Sequence, residues 1–414
     1  MIAVLRHRNF AIFSAGAFVS SIGDWVLFIA LPFYIYQLTG SVLATSITFM
    51  AETAPSLLIG PFAGVLVDRW DRRRTKLVAD VARGVLVAAL VLVRSPEMVW
   101  LVYVIAFAEA SVSQFAMPAV GALVPRLVAP EMLARANSVG AVRMQVSQLV
   151  GFPIGGALMA LGGLPLVVTV DVVSYVLSAV AMALLLPPTD GGFRTRGAGH
   201  PEAGVLRGVW RDWKDGMAAV RASRSLSGLL IVVMIAMSAQ SLITPLFVPL
   251  VKDVLGGGAL EFGWLAASQA AGGIVGGILI GHFWPHTRRG AVIVGQIGVG
   301  ALVAVLVNVP SIWFAYAVIA VLGIPSIAAN VAMQTMFQES AVDHVRGRIF
   351  ATLGTVQSIC LLIGMSSAGL IADRFGTKIP FEMAAVLFVL AGLSAGVFVP
   401  RHSVGLRPGA PTTM

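Results

Sequence analysis

Charged residues are scarce in this sequence, and their scarcity argues against a soluble protein. Only 11% of the 414 residues are Asp, Glu, Lys or Arg, whereas a soluble domain carries about 25%. Hydrophobic residues make up 58% of the chain, and its mean hydropathy is +0.91. A chain of this composition needs a lipid bilayer around its apolar surface.

Cysteine is nearly absent as well, and so are the residue clusters on which most enzymes depend. The single cysteine, Cys360, lies in an apolar run and excludes an internal disulfide. Of the six histidines, only His282 and His286 share a helical i,i+4 spacing, and no third ligand is near them. The sequence also has no P-loop and no nucleophile elbow. We therefore expect neither an enzyme nor a metal or other cofactor.

Long apolar runs recur from one end of the chain to the other. Each is close to or longer than the roughly 20 residues that span the hydrocarbon core of a bilayer. The first run follows Arg6 and Arg8 and has no small-residue cleavage site, so it is predicted to be a retained helix and not a signal peptide. The sequence thus predicts an all-α integral membrane protein with twelve transmembrane helices. These lie near 11–38, 42–67, 76–94, 98–124, 138–161, 164–187, 226–251, 261–284, 290–308, 311–336, 347–371 and 380–400.

The formal net charge of +9 is distributed unevenly between the two sides of the membrane. If the N-terminus lies inside the cell, most of the 28 Lys and Arg residues fall in cytoplasmic segments. The outer loops then hold Arg94, Lys252, Arg374 and Lys378. The positive-inside rule therefore places both termini in the cytoplasm, at a bacterial inner membrane. The basic balance reflects this orientation and anionic lipid head groups, and no nucleic-acid partner is expected.

The two halves of the chain resemble each other. Gly64 and Gly277 are 213 residues apart, and the same shift carries Pro32, in the first apolar run, onto Pro245, in the seventh. A repeat of this kind is typical of transporters built from parallel repeats. We expect two pseudo-symmetric six-helix bundles. They are predicted to cover residues 1–187 and 226–414.

Residues 188–225 separate the halves and contain two different stretches. The first is rich in Gly, Pro and Arg, like a flexible linker. In the second, Trp210, Trp213 and Lys214 have the spacing of a short amphipathic helix in the membrane interface. This cytoplasmic segment is either a tether between the bundles or a lateral helix that steadies their relative movement.

A loop motif indicates the family that the chain resembles. The sequence G-V-L-V-D-R-W-D-R-R-R at 64–74 is similar to the signature loop between the second and third helices of the major facilitator superfamily. Helix number, topology and repeat agree with this resemblance, which covers the whole chain. Shorter phrases resemble the bacterial exporters of drugs, macrolides and enterobactin-type siderophores. These phrases are G-D-W at 23–25, L-T-G-S at 38–41, D-V-V-S-Y at 171–175 and A-D-R-F-G at 372–376.

The resemblance implies a secondary transporter whose bundles rock around a central site. We expect export of a hydrophobic or amphipathic small molecule, such as a drug, antibiotic or siderophore, by proton antiport and alternating access. The alternative is an importer or a flippase for lysophospholipids or other lipids, because the fold does not determine direction or substrate. The expected partners are a lipophilic small molecule, protons and membrane lipids, and the chain is expected to be a monomer.

The loop motif also implies a gate at the cytoplasmic rim. Gly64 allows the second helix to approach a neighbour closely. Asp68 can accept hydrogen bonds from the N-terminal amides of a helix in the other half, or pair with Arg72 or Arg73. Such a latch would stabilise the outward-facing state; alternatively, the arginines only set the topology. The chain departs from the family at Asp71, where Gly is usual. The predicted gate motif comprises Gly64, Asp68, Arg69, Arg72 and Arg73.

A second motif, in the fifth helix, resembles that of the superfamily's antiporters in part. Gly151, Gly155 and Gly156 match the pattern, but the proline is displaced to Pro153 and Phe152 takes its usual place. Gly151 and Gly155 form a G-x-x-x-G face suited to close packing, and a bend at the proline could seal the pathway against proton leak. Plain helix packing explains the same residues.

Four carboxylates within predicted membrane helices, all in the N-terminal half, are candidates for proton coupling. A carboxylate in a membrane must face protein or water. Asp24 is the first choice, with a structural role as its alternative, whereas Glu52 and Glu109 can instead recognise a cationic substrate. For Asp171 the alternative to coupling is hydrogen bonding to a neighbouring helix through Ser174 or Tyr175. The four candidates are Asp24, Glu52, Glu109 and Asp171.

One turn of the third helix carries opposite charges. Asp80 and Arg83 have the i,i+3 spacing of an ion pair, or of a contact with the basic loop. Either interpretation makes them structural residues.

The substrate cavity is expected between the halves at mid-depth. Apolar and aromatic walls with a few amides suit a bulky amphipathic molecule. Arg143 can instead extend to the cytoplasm. The residues predicted to line the cavity are Trp25, Phe28, Gln114, Arg143, Gln240, Asn330 and Gln334.

Overall fold

The computed structural model describes residues 2–67, 70–186, 205–283, 288–341 and 346–400. Regular structure in these ranges consists of α-helices with short 3₁₀- and π-helical turns, and contains no strand. In a bilayer a helix satisfies its own backbone hydrogen bonds, which explains why the long apolar runs are helical. The predicted all-α class is confirmed.

Six helices form the N-terminal half: α1 (Arg8–Thr39), α2 (Val42–Leu58), α3 (Gly60–Val67), α4 (Arg72–Ala88), α5 (Val99–Leu127) and α6 (Leu133–Ala183). α1 ends at Gly40, which adopts a left-handed conformation with φ of 65° and tolerates it because it has no side chain. The Ser41 side chain caps α2 by accepting the N–H of Ala44. Asp71 caps α4 by accepting the N–H of Arg74, so the residue that departs from the family motif starts a helix.

The other helices are α7 (Val205–Ala222), between the halves, and α8 (Arg224–Ile243), α9 (Phe247–Pro249), α10 (Ala259–Phe283), α11 (Arg288–Asn308), α12 (Ile312–Ser340), α13 (Arg346–Phe375) and α14 (Lys378–Phe398). Pro245 interrupts the helix that begins as α8, because proline lacks an N–H group and clashes with the preceding turn. A 3₁₀ turn, α9 and a π-helical turn at Leu250–Val254 continue this helix to the membrane surface.

The described helices account for the predicted membrane crossings. Nine helical segments in these ranges are long and apolar enough to span a bilayer. One of them crosses twice, because the 51-residue α6 breaks at Gly163, where φ is 62°. α2 continued by α3 is a further crossing, and α4 is another. This arrangement is consistent with twelve helices in two six-helix bundles.

The basic turns of the two halves have the same structural role. Arg73 donates hydrogen bonds to the carbonyl oxygens of Met182, at 2.6 Å, and Ala183, at the end of α6. Arg289 donates in the same way to the carbonyl oxygen of Ala395, at 3.2 Å, near the end of α14. A guanidinium group there compensates the partial negative charge of a helix C-terminus. We call the side that holds Arg73 and Arg289 the basic face, and the other side the opposite face.

The amphipathic part of the linker is helical and packs against the C-terminal half. A Cβ atom on Gly216 of α7 would overlap Thr352 of α13, and Asp215 forms an ion pair with Arg348 at 3.3 Å. Residues 187–204 lie outside the described ranges. Both predicted roles of the linker, as tether and as lateral helix, stay proposals.

The two halves pack closely near the opposite face. A Cβ on Gly156 of α6 would lie 3.1 Å from the carbonyl carbon of Ala259 in α10, and one on Gly369 of α13 would lie 2.7 Å from the Cα of Leu43 in α2. One apolar core runs through both halves and includes Val26. The small residues therefore let the bundles approach at backbone distance.

Candidate functional site

Four side chains from four helices form a polar cluster inside the N-terminal half. Arg83 of α4 makes ion pairs with Asp24 of α1, at 3.0 Å, and with Glu109 of α5. The hydroxyl of Tyr175, on α6, donates to Asp24 at 2.5 Å and lies 3.3 Å from a carboxylate oxygen of Glu109. The guanidinium carbon of Arg83 lies 4.6 Å from the Tyr175 ring centre, within cation–π range. Two predicted coupling carboxylates thus share one arginine.

The predicted ion pair between Asp80 and Arg83 is wrong. Asp80 is fully buried, pairs with Lys76 one turn earlier on α4, and accepts a 2.7 Å hydrogen bond from Ser178. Because these partners already compensate its charge, Arg83 extends to the other carboxylates. The alternative, a contact with the basic loop, describes Asp80 better, since Lys76 follows that loop directly.

The cluster contains one more acidic than basic group. A single guanidinium compensates one carboxylate, so one negative charge is left over when both Asp24 and Glu109 are ionised. The Asp24 side chain is 36% exposed and that of Glu109 is 16% exposed, whereas that of Arg83 is 10% exposed. The arginine is therefore held in the protein while Asp24 is accessible. Chemically, the cluster can accept a proton or a cationic group.

Asp171 lies in the contact between α1 and α6. It is fully buried, and its Oδ2 has no hydrogen-bond partner among the described residues. Its Oδ1 accepts from Ser174 at 3.2 Å, but Ser174 belongs to the same helix, and Tyr175 bonds to other carboxylates. Of the two predicted links to a neighbouring helix, the one through Tyr175 is present, to Asp24 of α1, and the hydrogen bonds of Ser174 stay within α6 in the described structure. A Cβ on Gly23 of α1 would overlap both Asp171 and Ser174, which explains why a glycine precedes Asp24.

Glu52, the fourth carboxylate, stands apart from the hydrogen-bonded cluster. It is half-buried on α2 and lies within electrostatic range of Glu109. The structure brings it near the cluster without joining it to Arg83.

An aromatic wall stands beside the cluster. The ring centroids of Trp25 lie 5.4 Å from Phe28 and 5.3 Å from Phe152, in edge-to-face geometry. Phe28 also lies 5.6 Å from Phe49. Trp25 and Phe28, both predicted to line the cavity, are half-buried. Phe152, which takes the place of the motif proline, completes the wall.

The antiporter-like motif packs α6 on α1. A Cβ on Gly151 would lie 2.6 Å from the Cβ of Trp25, and one on Gly155 would lie 2.7 Å from the carbonyl oxygen of Val26. The close packing expected of the G-x-x-x-G face is therefore present. Pro153 lies within α6. Its role in sealing the pathway stays a proposal.

Two other predicted cavity residues of the N-terminal half lie outside the cluster. Gln114 is half-buried on α5 and donates to the carbonyl oxygen of Ala110 at 3.3 Å. Arg143 is also half-buried, with its guanidinium carbon 5.7 Å from the ring centre of Phe13. Neither forms a hydrogen bond with the cluster in the described structure.

Amides line a small cavity in the C-terminal half. Gln240 of α8 and Asn330 of α12 border it, as predicted residues, and Gln296 of α11 borders it as well. Gln334 is exposed one turn beyond Asn330. Sequence reasoning missed Gln296, because nothing along the sequence places the ninth apolar run beside the seventh and the tenth.

The gate motif is only partly described. Asp68 and Arg69 lie outside the described residues. Arg72 is buried, and Arg73 binds the end of α6 as noted above. A Cβ on Gly64 would meet no described atom within 4 Å, so the close approach predicted there is not made by the described residues.

At the opposite face, polar contacts join the two halves. The carboxylate of Asp373, at the end of α13, accepts hydrogen bonds from the Ser41 hydroxyl at 2.8 Å and from the N–H groups of Val42 at 2.9 Å and Leu43 at 3.3 Å. Tyr36 of α1 likewise donates to Asp253. The opposite face is closed by these contacts, which sequence reasoning missed.

Known proteins resemble this chain over nearly its full length. The sequence model of a family described as transmembrane secretion effector matches residues 1–404. Macrolide efflux protein A of Streptococcus pyogenes is 27% identical over 381 residues, covering 91% of this chain and 92% of that protein. The multidrug efflux pump Tap of Mycolicibacterium fortuitum is 28% identical over 407 residues, covering 95% and 94%.

Solved structures share the fold. The inward-facing structure of a bacterial homologue of the iron transporter ferroportin matches with a TM-score of 0.75 at 16% identity, covering 94% of this chain and 98% of that one. An inward-facing bacterial homologue of the lysosomal transporter Spinster matches with a TM-score of 0.72 at 15% identity, covering 94% and 97%.

Proposed function

The chain belongs to the transmembrane secretion effector family of the major facilitator superfamily, and we propose that it exports an amphipathic, cationic small molecule in exchange for protons. It is a multi-pass membrane protein and a transporter by family. The efflux proteins to which it is similar, named for macrolides and for multiple drugs, support export.

The observation that carries the proposal is the sharing of Arg83 between Asp24 and Glu109. With both carboxylates ionised, the cluster has an uncompensated negative charge in a membrane interior, where such a charge is costly. A proton or the positive charge of a substrate removes that cost. Because the proton and the substrate compete for the same negative charge, binding of the proton favours release of the substrate, and the reverse, as antiport requires.

The surroundings of the cluster support the substrate class. Trp25 and Phe28 provide an apolar aromatic surface beside Asp24, which suits the hydrophobic body of a lipophilic amine. Few polar groups among apolar walls are typical of sites for drug-sized molecules. An antibiotic with a basic nitrogen fits this description.

The orientation follows from the distribution of charge. The basic face, with Arg73 and Arg289, is assigned to the cytoplasm, and with it both termini. The contacts of Asp373 then close the outer side. In this arrangement substrate enters from the cytoplasm, and the chain acts as a monomer.

Accumulation of a labelled lipophilic cation and a labelled macrolide in exporter-deficient bacterial cells tests the proposal. We expect wild type to lower accumulation, and both a protonophore and the Asp24→Asn substitution to abolish the effect, with normal membrane insertion. Glu131→Gln is the matched control, because Glu131 is an exposed carboxylate of the same half.

Wild-type activity that persists with the protonophore and in Asp24→Asn would contradict antiport at this cluster. Higher accumulation with wild type than without it would contradict export and favour an importer.

A further inference from the structure

A buried hydrogen-bond acceptor, the side-chain oxygen of Gln296, borders the small cavity of the C-terminal half and has no donor among the described residues. The volume of this cavity is about 30 Å³, enough for roughly two water-sized groups. Gln296 borders it and is 4% exposed, and its Oε1 has no hydrogen-bond partner among the described residues. A buried amide oxygen without a partner is costly until an N–H or O–H group reaches it.

Two exposed amides connect this cavity with the outside of the bundle. Gln240 and Asn330, from α8 and α12, border the same cavity as Gln296 and are both exposed. Met237 and Met333 also line it, and methionine side chains adapt to the shape of what they contact. A small polar group of a larger molecule can therefore pass the two amides and reach Gln296.

We propose that Gln296, Gln240 and Asn330 form a subsite for a neutral hydroxyl or amide N–H group of the transported molecule. The proposal rests on the proposed export function and divides recognition between the halves. The basic nitrogen binds the carboxylates of the N-terminal half, and the neutral donor binds the amides. A site built to hydrogen-bond a hydroxyl discriminates strongly against analogues without one.

Transport of two probes by the full chain tests the subsite. One probe is a macrolide with free hydroxyl groups, and the other is tetraphenylphosphonium, a lipophilic cation without a hydrogen-bond donor. Gln296→Leu replaces the amide with a branched apolar side chain and so removes its polar atoms. We expect it to raise the macrolide KM about tenfold, the effect of losing a buried hydrogen bond, and to change the tetraphenylphosphonium KM less than twofold. Gln145→Leu, at an exposed glutamine of α6, is the control.

The result separates the subsite from the transport function. An equal loss for both probes would assign Gln296 to the packing of the bundle and overturn the subsite, as would an unchanged macrolide KM. If wild type moves neither probe, the proposed export itself fails, which the wild-type measurement reports independently of the variant.

A second inference has its own basis, a repeated sequence pattern at the two faces of the membrane. The stretch G-L-I-A-D-R-F at 369–375 repeats the pattern of G-V-L-V-D-R-W at 64–70: a glycine, three apolar residues, Asp–Arg and an aromatic residue. The copy at 64–70 follows the second crossing to the basic face. The copy at 369–375 ends α13 at the opposite face.

The second copy makes the contact that the first was expected to make. Asp373 accepts hydrogen bonds from the first backbone N–H groups of α2, a helix of the other half, where a carboxylate also interacts favourably with the helix dipole. Gly369, four residues earlier, allows the helices to approach, because a Cβ there would lie 2.8 Å from the Ser46 hydroxyl.

We infer that Asp373 is a latch that holds the opposite face closed and mirrors the gate predicted for Asp68. This inference rests on alternating access, which is part of the proposed function. Each latch stabilises one end state, so loss of one shifts the population toward the other state.

Distances between spin labels test the latch without any transport assay. In a Cys360→Ser background, Glu97→Cys and Asn308→Cys place labels at exposed positions of the two halves on the opposite face. We expect Asp373→Asn to increase the ratio of long to short distances about tenfold, because charge-assisted hydrogen bonds are lost. Glu382→Gln, which removes an exposed carboxylate near Lys378, is the control.

An unchanged distance distribution in Asp373→Asn would overturn the latch, and so would an equal shift in the control. Asp68→Asn removes the latch predicted at the basic face, so we expect it to lower the ratio of long to short distances at the opposite face. A rise in that ratio would show that Asp68 and Asp373 do not stabilise opposite end states.

Discussion

At the scale of single residues, the chemistry of the site depends on how Arg83 is shared. Its planar guanidinium can donate to two carboxylates at once, which a single ammonium group cannot do in the same fixed geometry. Tyr175 donates to the same oxygen of Asp24 that Arg83 binds. These donors hold Asp24 and Glu109 close together although both are acidic.

Replacement of Arg83 should therefore affect substrate affinity and the maximal transport rate in opposite directions. In Arg83→Met both carboxylates lose their cation, so a lipophilic cation binds more strongly and leaves more slowly. We expect its KM to fall and the maximal transport rate to drop at least about tenfold, a difference of roughly 1.4 kcal/mol in the barrier. Initial rates in membrane vesicles measure both quantities. Arg94→Met, at an exposed residue, is the control, and a raised KM with an unchanged rate would contradict the assignment.

Gly23 provides a residue-scale test of the contact between α1 and α6. A Cβ there would overlap Ser174 and Asp171, and overpacking of this kind costs about 1–3 kcal/mol. We expect Gly23→Ala to lower the thermal midpoint of the detergent-purified protein by several degrees. Gly277→Ala should have little effect, because a Cβ on Gly277 meets no atom of the described residues within 4 Å. Equal midpoints for the two variants would show that α1 and α6 are less tightly packed.

Individual site residues could be predicted where a charged side chain stands in an apolar helix. Asp24 and Glu109 could be identified because carboxylates are rare in apolar helices. Tyr175 was expected to bond to a neighbouring helix, but its partners Asp24 and Glu109 could not be predicted, since they lie on two other helices. The partner of Arg83 was predicted wrongly because spacing along one helix says nothing about carboxylates on neighbouring helices, and its long side chain reaches those.

At the scale of elements, helix positions follow from the length of apolar runs and from local breaks. The bilayer thickness fixes the length of each run, so the predicted crossings agree with the helices. The interruptions at Gly163 and Pro245 have local causes in the chain. The contact between α7 and α13 could not be predicted, because it depends on Gly216 facing Thr352 across two elements distant in sequence.

The docking of α7 can be disrupted at Gly216. A leucine side chain there would overlap Thr352 and the backbone of Arg348, so we expect Gly216→Leu to detach α7 and increase its cleavage in limited proteolysis. Transport by the same variant distinguishes the two roles of the linker: an unchanged rate indicates a tether, and a reduced rate indicates a steadying helix. Unchanged cleavage would contradict the packing described for α7.

At the scale of the whole molecule, two similar halves have divided their chemistry. The N-terminal half holds the acidic cluster around Arg83, and the C-terminal half holds amides around Gln296. The sequence predicts the two halves and a cytoplasmic basic face, because the repeat and the charge asymmetry are both patterns along the chain. The closure of the opposite face by Asp373 could not be predicted from the sequence, because it is a contact between segments distant along the chain.

Proton movement coupled to substrate movement tests the central claim most directly. Purified protein in liposomes that contain a pH-sensitive dye would be given a gradient of tetraphenylphosphonium without a pH gradient, under a clamped membrane potential. We predict that substrate flux drives protons in the opposite direction, and that Asp24→Asn abolishes this proton movement while Glu131→Gln leaves it intact. Substrate flux without proton movement in the wild type would contradict antiport at the Asp24–Arg83–Glu109 cluster.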